Sequence, residues 1–282
     1  MNDMSITLVT GDAALDKLIA TIKGKSTSAF DVGGVNLSRM GIPTYCTVGV
    51  HSATRSLVRV FLFYLNDDAT RYQSRQMSIL KIILEDQNFT KIIHDCRQDS
   101  DTLNEFFQIT IRNVFDTSVF NLKIKKAEKR DNLNDTLVAY GLAPNSARHK
   151  KFYKHHLTCS APRPLTEEHI ISAAQDIRYL FLLQQLMLKC MRGMTDNQKV
   201  MIQDASKAAI SEYREKRFTA FIKLRRTDWH DFIGAGGSTL SMIEKVTNVS
   251  VSCHNADGFL LLASSYSEMK IARKYIKDMG YR

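Results

Sequence analysis

Between Thr27 and Leu65 three strand-like runs follow one another with no helix between them: TSAFDVGGVNL, PTYCTVGV and SLVRVFLFYL. Strands this close in sequence pair as antiparallel neighbours, because a parallel crossover needs a dozen or more connecting residues. The seed of the fold is therefore an antiparallel or mixed sheet. One strand, SITLV, and one helix, DAALDKLIATIKG, come before it. After it the apolar spacing turns helical in RQMSILKIILEDQ, returns to a short strand in FTKIIHD, and is helical again in DSDTLNEFFQI. From about residue 131 it stays helical through LNDTLVAYGL and the long TEEHIISAAQDIRYLFLLQQLMLKCM. This reads as an α/β domain whose helices are concentrated late.

Residues 193–216 are polar, Ala-rich and free of proline, which suits a connecting helix better than a flexible linker. A second pattern begins at Arg217. RFTAFIKL reads as a strand, WHDFIGAGGSTLSMIEKVT as two helices around a glycine turn, VSVSCHNADGFLLLASS as a hairpin about Asp257-Gly258, and SEMKIARKYIKDM as a helix. The order is βααββα, and the expected division is 1–192, 193–216 and 217–282. A chain of 282 residues with 44% hydrophobic and 24% charged residues suits one large domain and a small one.

The formal charge of +10 favours polyanions, nucleic acid foremost, although anionic lipid would be attracted as well. MNDMSITLVTGDAALDK lacks the features of a signal peptide, and no 18-residue apolar run occurs, so a soluble, cytoplasmic protein without a membrane partner is expected. Cys46, Cys96, Cys159, Cys190 and Cys253 are odd in number and widely spaced, which supports neither a disulfide framework nor a zinc ribbon. They read as reduced, mostly buried thiols.

FIGAGGSTLSMIEKVTNVSV resembles the KH domain, whose G-x-x-G loop lies between two short helices. The loop is Gly234-Ala235-Gly236-Gly237, with Ser238 and Thr239 opening the next helix. Glycines let a sugar-phosphate chain approach the backbone closely. The resemblance implies an α+β KH fold of type I that clamps about four nucleotides of single-stranded RNA or DNA. Such loops usually carry Lys or Arg, whereas this one has Ala235 and Gly236, with Asp228 and Asp231 just upstream. The plainer alternative is that the glycines only end one helix and start another.

DVGGVNL at 31–37, KIIHDCRQDSDTL at 91–103 and RPLTEEHIISAAQDIRYL at 163–180 resemble, in that order, the three motifs of ribonuclease D-type DEDD exonucleases. Within that group they are similar to the branch holding Egalitarian and the exonuclease-domain proteins of the germline piRNA pathway; NVFDT and LNDTLVAYGL add to the likeness. The resemblance covers about the first 190 residues and implies a ribonuclease H-like α/β fold. It also implies four carboxylates around two divalent ions, Mg or Mn, that activate water and stabilise the leaving oxygen. The first motif supplies Asp and Glu two residues apart, since alternate strand residues share a face. Asp31 fills the first place, but Gly33 stands in the second.

No shift of register restores the pair, because Asp31 is the only acidic residue between Asp16 and Asp67. In the third motif a water-orienting Tyr or His is replaced by Ser172, with Ile171 before it, ahead of Asp176. Asp31, Gly33, Asp99, Ser172 and Asp176 thus mark the remains of a site; no catalytic residue and no cofactor is expected. Each retained Asp also has a structural reading: ending a strand, capping a helix, or pairing with Arg178 or a Lys.

Two basic runs remain, KIKKAEKR at 123–130 and RHKKFYKHHL at 148–157. The second, with Lys150, Lys151, Phe152, Tyr153 and Lys154, reads as an RNA-contacting rim; the first reads equally as rim or as solvated loop. His155, His156 and Cys159 lack zinc spacing. His94, Asp95 and Cys96 read as a strand end rather than a catalytic trio, and Trp229 as core. The expectation is an RNA-binding adaptor on an inactive exonuclease-like domain plus a KH module, with homodimerisation and unidentified protein partners. The alternatives are an active exoribonuclease working with three carboxylates, and a protein scaffold with no nucleic-acid role.

Overall fold

The computed structural model describes residues 3–35, 37, 39, 42–52, 57–65, 71–127, 129–146, 165–215, 218–254 and 258–281. Strand β1 (Asp3–Leu8) and helix α1 (Asp12–Ile22) lead into β2 (Thr27–Val35), β3 (Ile42–His51) and β4 (Leu57–Tyr64). The three consecutive runs pair as expected, β2 with β3 and β3 with β4, both antiparallel. Helix α2 (Arg71–Glu85), β5 (Thr90–Ile93), α3 (Arg97–Phe107), β6 (Val114–Asp116), α4 (Thr117–Lys125) and α5 (Leu133–Ala139) follow. The sheet order is β1-β4-β3-β2-β5-β6, with β1 parallel to β4, and β5 parallel to both β2 and β6. It is a mixed sheet.

Helices cover both faces, and strand alternation sorts the core between them. Phe30, Val32, Phe61, Phe63 and Ile93 point one way, onto Leu15 and Leu18 of α1, Leu80 and Leu84 of α2, and Leu103 of α3. Ala29, Val58, Val60 and Ile92 point the other way, onto Phe120, Leu133 and Leu137 and onto α6 (Glu167–Met191), which supplies Ala174, Ile177 and Phe181. Thr166 starts α6 by accepting the His169 amide, with Glu167 and Glu168 in the first turn where the helix dipole favours acids. Two elements escape the sequence reading. β6 has three residues and α4 has a mixed pattern, so neither shows a clean period; the basic run read as rim or solvated loop begins as the last turn of α4, at Lys123 and Lys125.

Helix α7 (Asp196–Glu215) occupies the expected connecting segment, but it does more than connect. Ala209 joins the core on one face of the sheet and Ile202 the core on the other. Beyond it lie β7 (Phe218–Lys223), α8 (Trp229–Ile233), α9 (Ser238–Thr247), β8 (Ser250–His254), β9 (Gly258–Ala263) and α10 (Tyr266–Asp278). These form an antiparallel sheet of order β7-β9-β8 with a core of its own around Phe232, Ile243, Phe259 and Ala272. Trp229 belongs to that core, its ring centroid 5.1 Å from that of Phe259 and its indole N–H donating to Leu224 O. Among the described residues no helix is long and apolar enough to cross a membrane.

Candidate functional site: a carboxylate groove and a glycine loop

Asp31 and Gly33 lie on β2 and face the same side as Ala29, toward α6. Across the antiparallel ladder Gly33 pairs with Tyr45 of β3, and the register slips between Gly33 and Gly34. The Tyr45 ring lies over Gly33 so closely that a Cβ built there would clash with its Cζ, Cε1 and Oη atoms. Tyr45 is fixed in a patch with Leu62, Tyr64, Leu165, Ile170 and Ala173, where β3 and β4 meet the start of α6. Position 33 is thus covered by an aromatic ring from the next strand.

Asp99 is in the first turn of α3 and only 5% exposed. It caps nothing by side chain; the capping at this corner is done by Asp116, which accepts from the amides of Asp95, Cys96, Ser118 and Val119. Burial first, and then the negative charges of Asp31, Asp95 and Asp116, push the Asp99 carboxyl well above the usual carboxylate range, while the Val32 amide donating to it pulls the other way. Asp31 therefore stands close enough to Asp99 to disfavour its charged form.

Asp176 lies on α6, also 5% exposed, and accepts from Asn145 Nδ2 at 2.7 Å. The same Asn145 amide reaches Ser172 O at 3.4 Å. Asn145 thus latches the turn carrying Ser172 and Asp176 to the segment after α5, a role for which the sequence carries no spacing signal. Among the described residues no three His, Cys, Asp or Glu side chains gather closely enough to hold a metal ion. Lys150, Lys151, Phe152, Tyr153 and Lys154, like His155, His156 and Cys159, lie outside the described residues.

Behind this groove His94, Asp95 and Cys96 form the expected strand end. His94 Nδ1 lies 2.9 Å from Thr117 Oγ1 and Nε2 lies 3.1 Å from Asp131 O, so the ring is consumed in fastening α4. Asp95 receives Arg97 at 2.7 Å and Arg130 at 2.5 Å, and both arginines reach Glu212 of α7, at 3.1 and 3.2 Å. Burial opposes the charge on Asp95, but Arg97, Arg130 and His94 hold it well below the usual carboxylate range. Arg97 also lies over the Tyr213 ring, 5.2 Å from its centroid. This network fastens α7 to the sheet domain; sequence distances of 82 and 115 residues hide it.

In the C-terminal unit Gly234, Gly236 and Gly237 all have positive φ, at 74°, 58° and 80°. Gly237 is the N-cap of α9 and Ser238 its first residue. At Gly234 any side chain would also collide with Thr239. The glycines are required by this backbone path, as the left-handed region is costly for residues with a Cβ. Ala235, Gly236 and Ser238 are exposed, and Gly236 O accepts from Lys129 Nζ, which arrives from the segment after α4. The sequence places those two stretches more than a hundred residues apart.

The 3′-5′ exonuclease family matches residues 6–192 of the chain. The piRNA biogenesis protein EXD1 of Mus musculus is 37% identical over 99 residues, 35% of this chain and 16% of that protein. The protein of the same name from Bombyx mori is 34% identical over 114 residues, 38% of this chain and 35% of the relative. The chain spans only about a sixth to a third of these curated relatives. Among solved structures, Trypanosoma brucei RNase D superposes with a TM-score of 0.61 at 18% identity, over 74% of this chain and 72% of that one. Its complex with RNA U12 gives 0.57 at 20% identity, over 75% and 70%, a likeness of fold alone.

Proposed function

The chain belongs to the 3′-5′ exonuclease family, and from that premise we propose that it has given up hydrolysis and works as an adaptor that holds single-stranded RNA. One observation carries the reading: the Tyr45 ring occupies the place where a carboxylate at position 33 would project. Two-ion hydrolysis needs a full set of oxygen ligands. Asp31, Asp99 and Asp176 without a fourth carboxylate do not fit a pair of divalent ions, so no hydrolytic step is assigned here.

RNA binding is supported by the charge of +10 and by the C-terminal unit. Its βααββα order, β7-β9-β8 sheet and left-handed glycine loop support reading it as a type I KH module. A KH loop grips backbone and splayed bases of about four nucleotides. The likeness to EXD1 supports a place in piRNA or related small-RNA work; the same proposal has the chain act in the cytoplasm and as a homodimer. Light scattering on the purified protein tests the last point. The main test is incubation of 5′-labelled single-stranded RNA with Mg²⁺ or Mn²⁺. Binding in a gel shift without end trimming is expected, whereas a ladder that vanishes in Asp31→Asn rejects the adaptor reading.

A further inference from the structure

Lys129 does not merely pass near the glycine loop; its ammonium donates to the Gly236 carbonyl. It belongs to a basic segment that starts at the end of α4, where Lys123 and Lys126 are exposed and make no ion pair among the described residues. Lys125 beside them is tied to Asp131 at 2.9 Å. Below the segment, a cleft of 440 Å³ separates α4 and α7 from the C-terminal unit, lined by Leu122, Lys123, Arg130, Ala208, Glu212 and Ser264 among others. Its size is that of an ordinary ligand cleft. Glu212 is already neutralised by Arg97 and Arg130, so the cleft's acidic wall is reduced to Glu215. At the loop, Asp228 is likewise held by Arg225.

We infer that one strand of RNA runs from the glycine loop across Lys129 onto Lys123 and Lys126 at the mouth of this cleft, so that the exonuclease-like domain and the C-terminal unit form a single binding surface. The inference rests on the RNA-binding reading and adds the path. It makes the basic segment of the exonuclease-like domain, rather than its old carboxylate groove, the partner of the glycine loop. Exposed lysines 123 and 126 supply the phosphate contacts that Ala235 and Gly236 lack. The joint gains length of footprint in place of charge in the loop.

The test measures affinity of the whole chain for unstructured RNA of about four nucleotides and of roughly 12, within the footprint of multi-contact single-strand sites. Ala235→Asp with Gly236→Asp is expected to weaken both oligomers. Lys123→Gln with Lys126→Gln is expected to weaken only the longer one, by about tenfold, and to lower its salt slope by about 1.4, since each of the two lost phosphate contacts removes about 0.7. Lys270→Gln with Lys274→Gln on α10, away from the cleft lining, controls for bulk charge. An equal loss for the control pair, or no loss from Lys123 and Lys126, overturns the shared path while leaving RNA binding at the loop intact. Failure of the unaltered chain to bind either oligomer overturns the RNA reading itself, and this inference with it.

Discussion

At the scale of single residues, Gly33 meets the ring of Tyr45 across the β2–β3 ladder. Any side chain at position 33 must first displace the end of that ring, which is packed against Leu62 and Leu165. Gly33→Glu is expected to destabilise the fold by about 1–3 kcal/mol through overpacking. Combining it with Tyr45→Ala should cost less than the sum of the two single changes, by about 1 kcal/mol, because the clash is shared. Urea unfolding of the four proteins measures the coupling, and strict additivity would mean that Tyr45 is not what fills the position. Lys91 offers a second residue-scale prediction. It is fully buried, its ammonium donates to Asp86 O and Phe89 O at 2.6 Å, and burial draws its pKa down to about 8 despite the opposing charge of Asp86. The unfolded chain then holds the proton more tightly between pH 8 and the ordinary lysine value, so this group makes stability rise with pH across that window. Unfolding at pH 8 and pH 10 should show that rise, on the order of 2 kcal/mol, in the natural protein relative to Lys91→Met.

At the scale of elements, α7 decides how the molecule hangs together. It was legible as a helix from its composition, yet its partners were not, because Arg97, Arg130 and Glu212 meet only once the β5–α3 corner and α7 are brought together. The three charges are between 15% and 31% exposed, so water screens them in part. Removing Glu212 leaves two guanidinium groups sharing Asp95, with Asp116 4.0 Å from Arg130 as the other carboxylate, and Glu212→Ala should cost about 2–3 kcal/mol, below the figure for a fully buried pair. Equilibrium unfolding reads this directly. The same contrast separates β2 to β4 from β6 and α4. The former announce themselves because three adjacent apolar runs must pair with one another, while a three-residue strand owes its existence to β5 beside it.

At the scale of the whole molecule, the two units are joined by more than chain. The Tyr213 ring packs against Leu260 and Leu262 of β9, and Arg39, itself bonded to Asp101 at 2.8 Å, donates to the Tyr213 carbonyl. Cooperative unfolding of both units as one is the expected consequence in calorimetry. Tyr213→Ala should open a cavity on the outer face of β9 and split the transition in two, with the total loss near 3 kcal/mol. A single sharp transition in that variant would show that the units are coupled elsewhere.

The sequence alone determined the succession of β1 to β5, the βααββα order, the left-handed glycines and the absence of a carboxylate at position 33. Each of these is local, set by period, turn chemistry or the identity of one residue. Tertiary structure alone decided that Tyr45 covers Gly33, that Asn145 holds Asp176, and that Lys129 reaches Gly236. Those facts depend on register between strands and on segments far apart in the chain, and side-chain spacing within a segment carries no record of either.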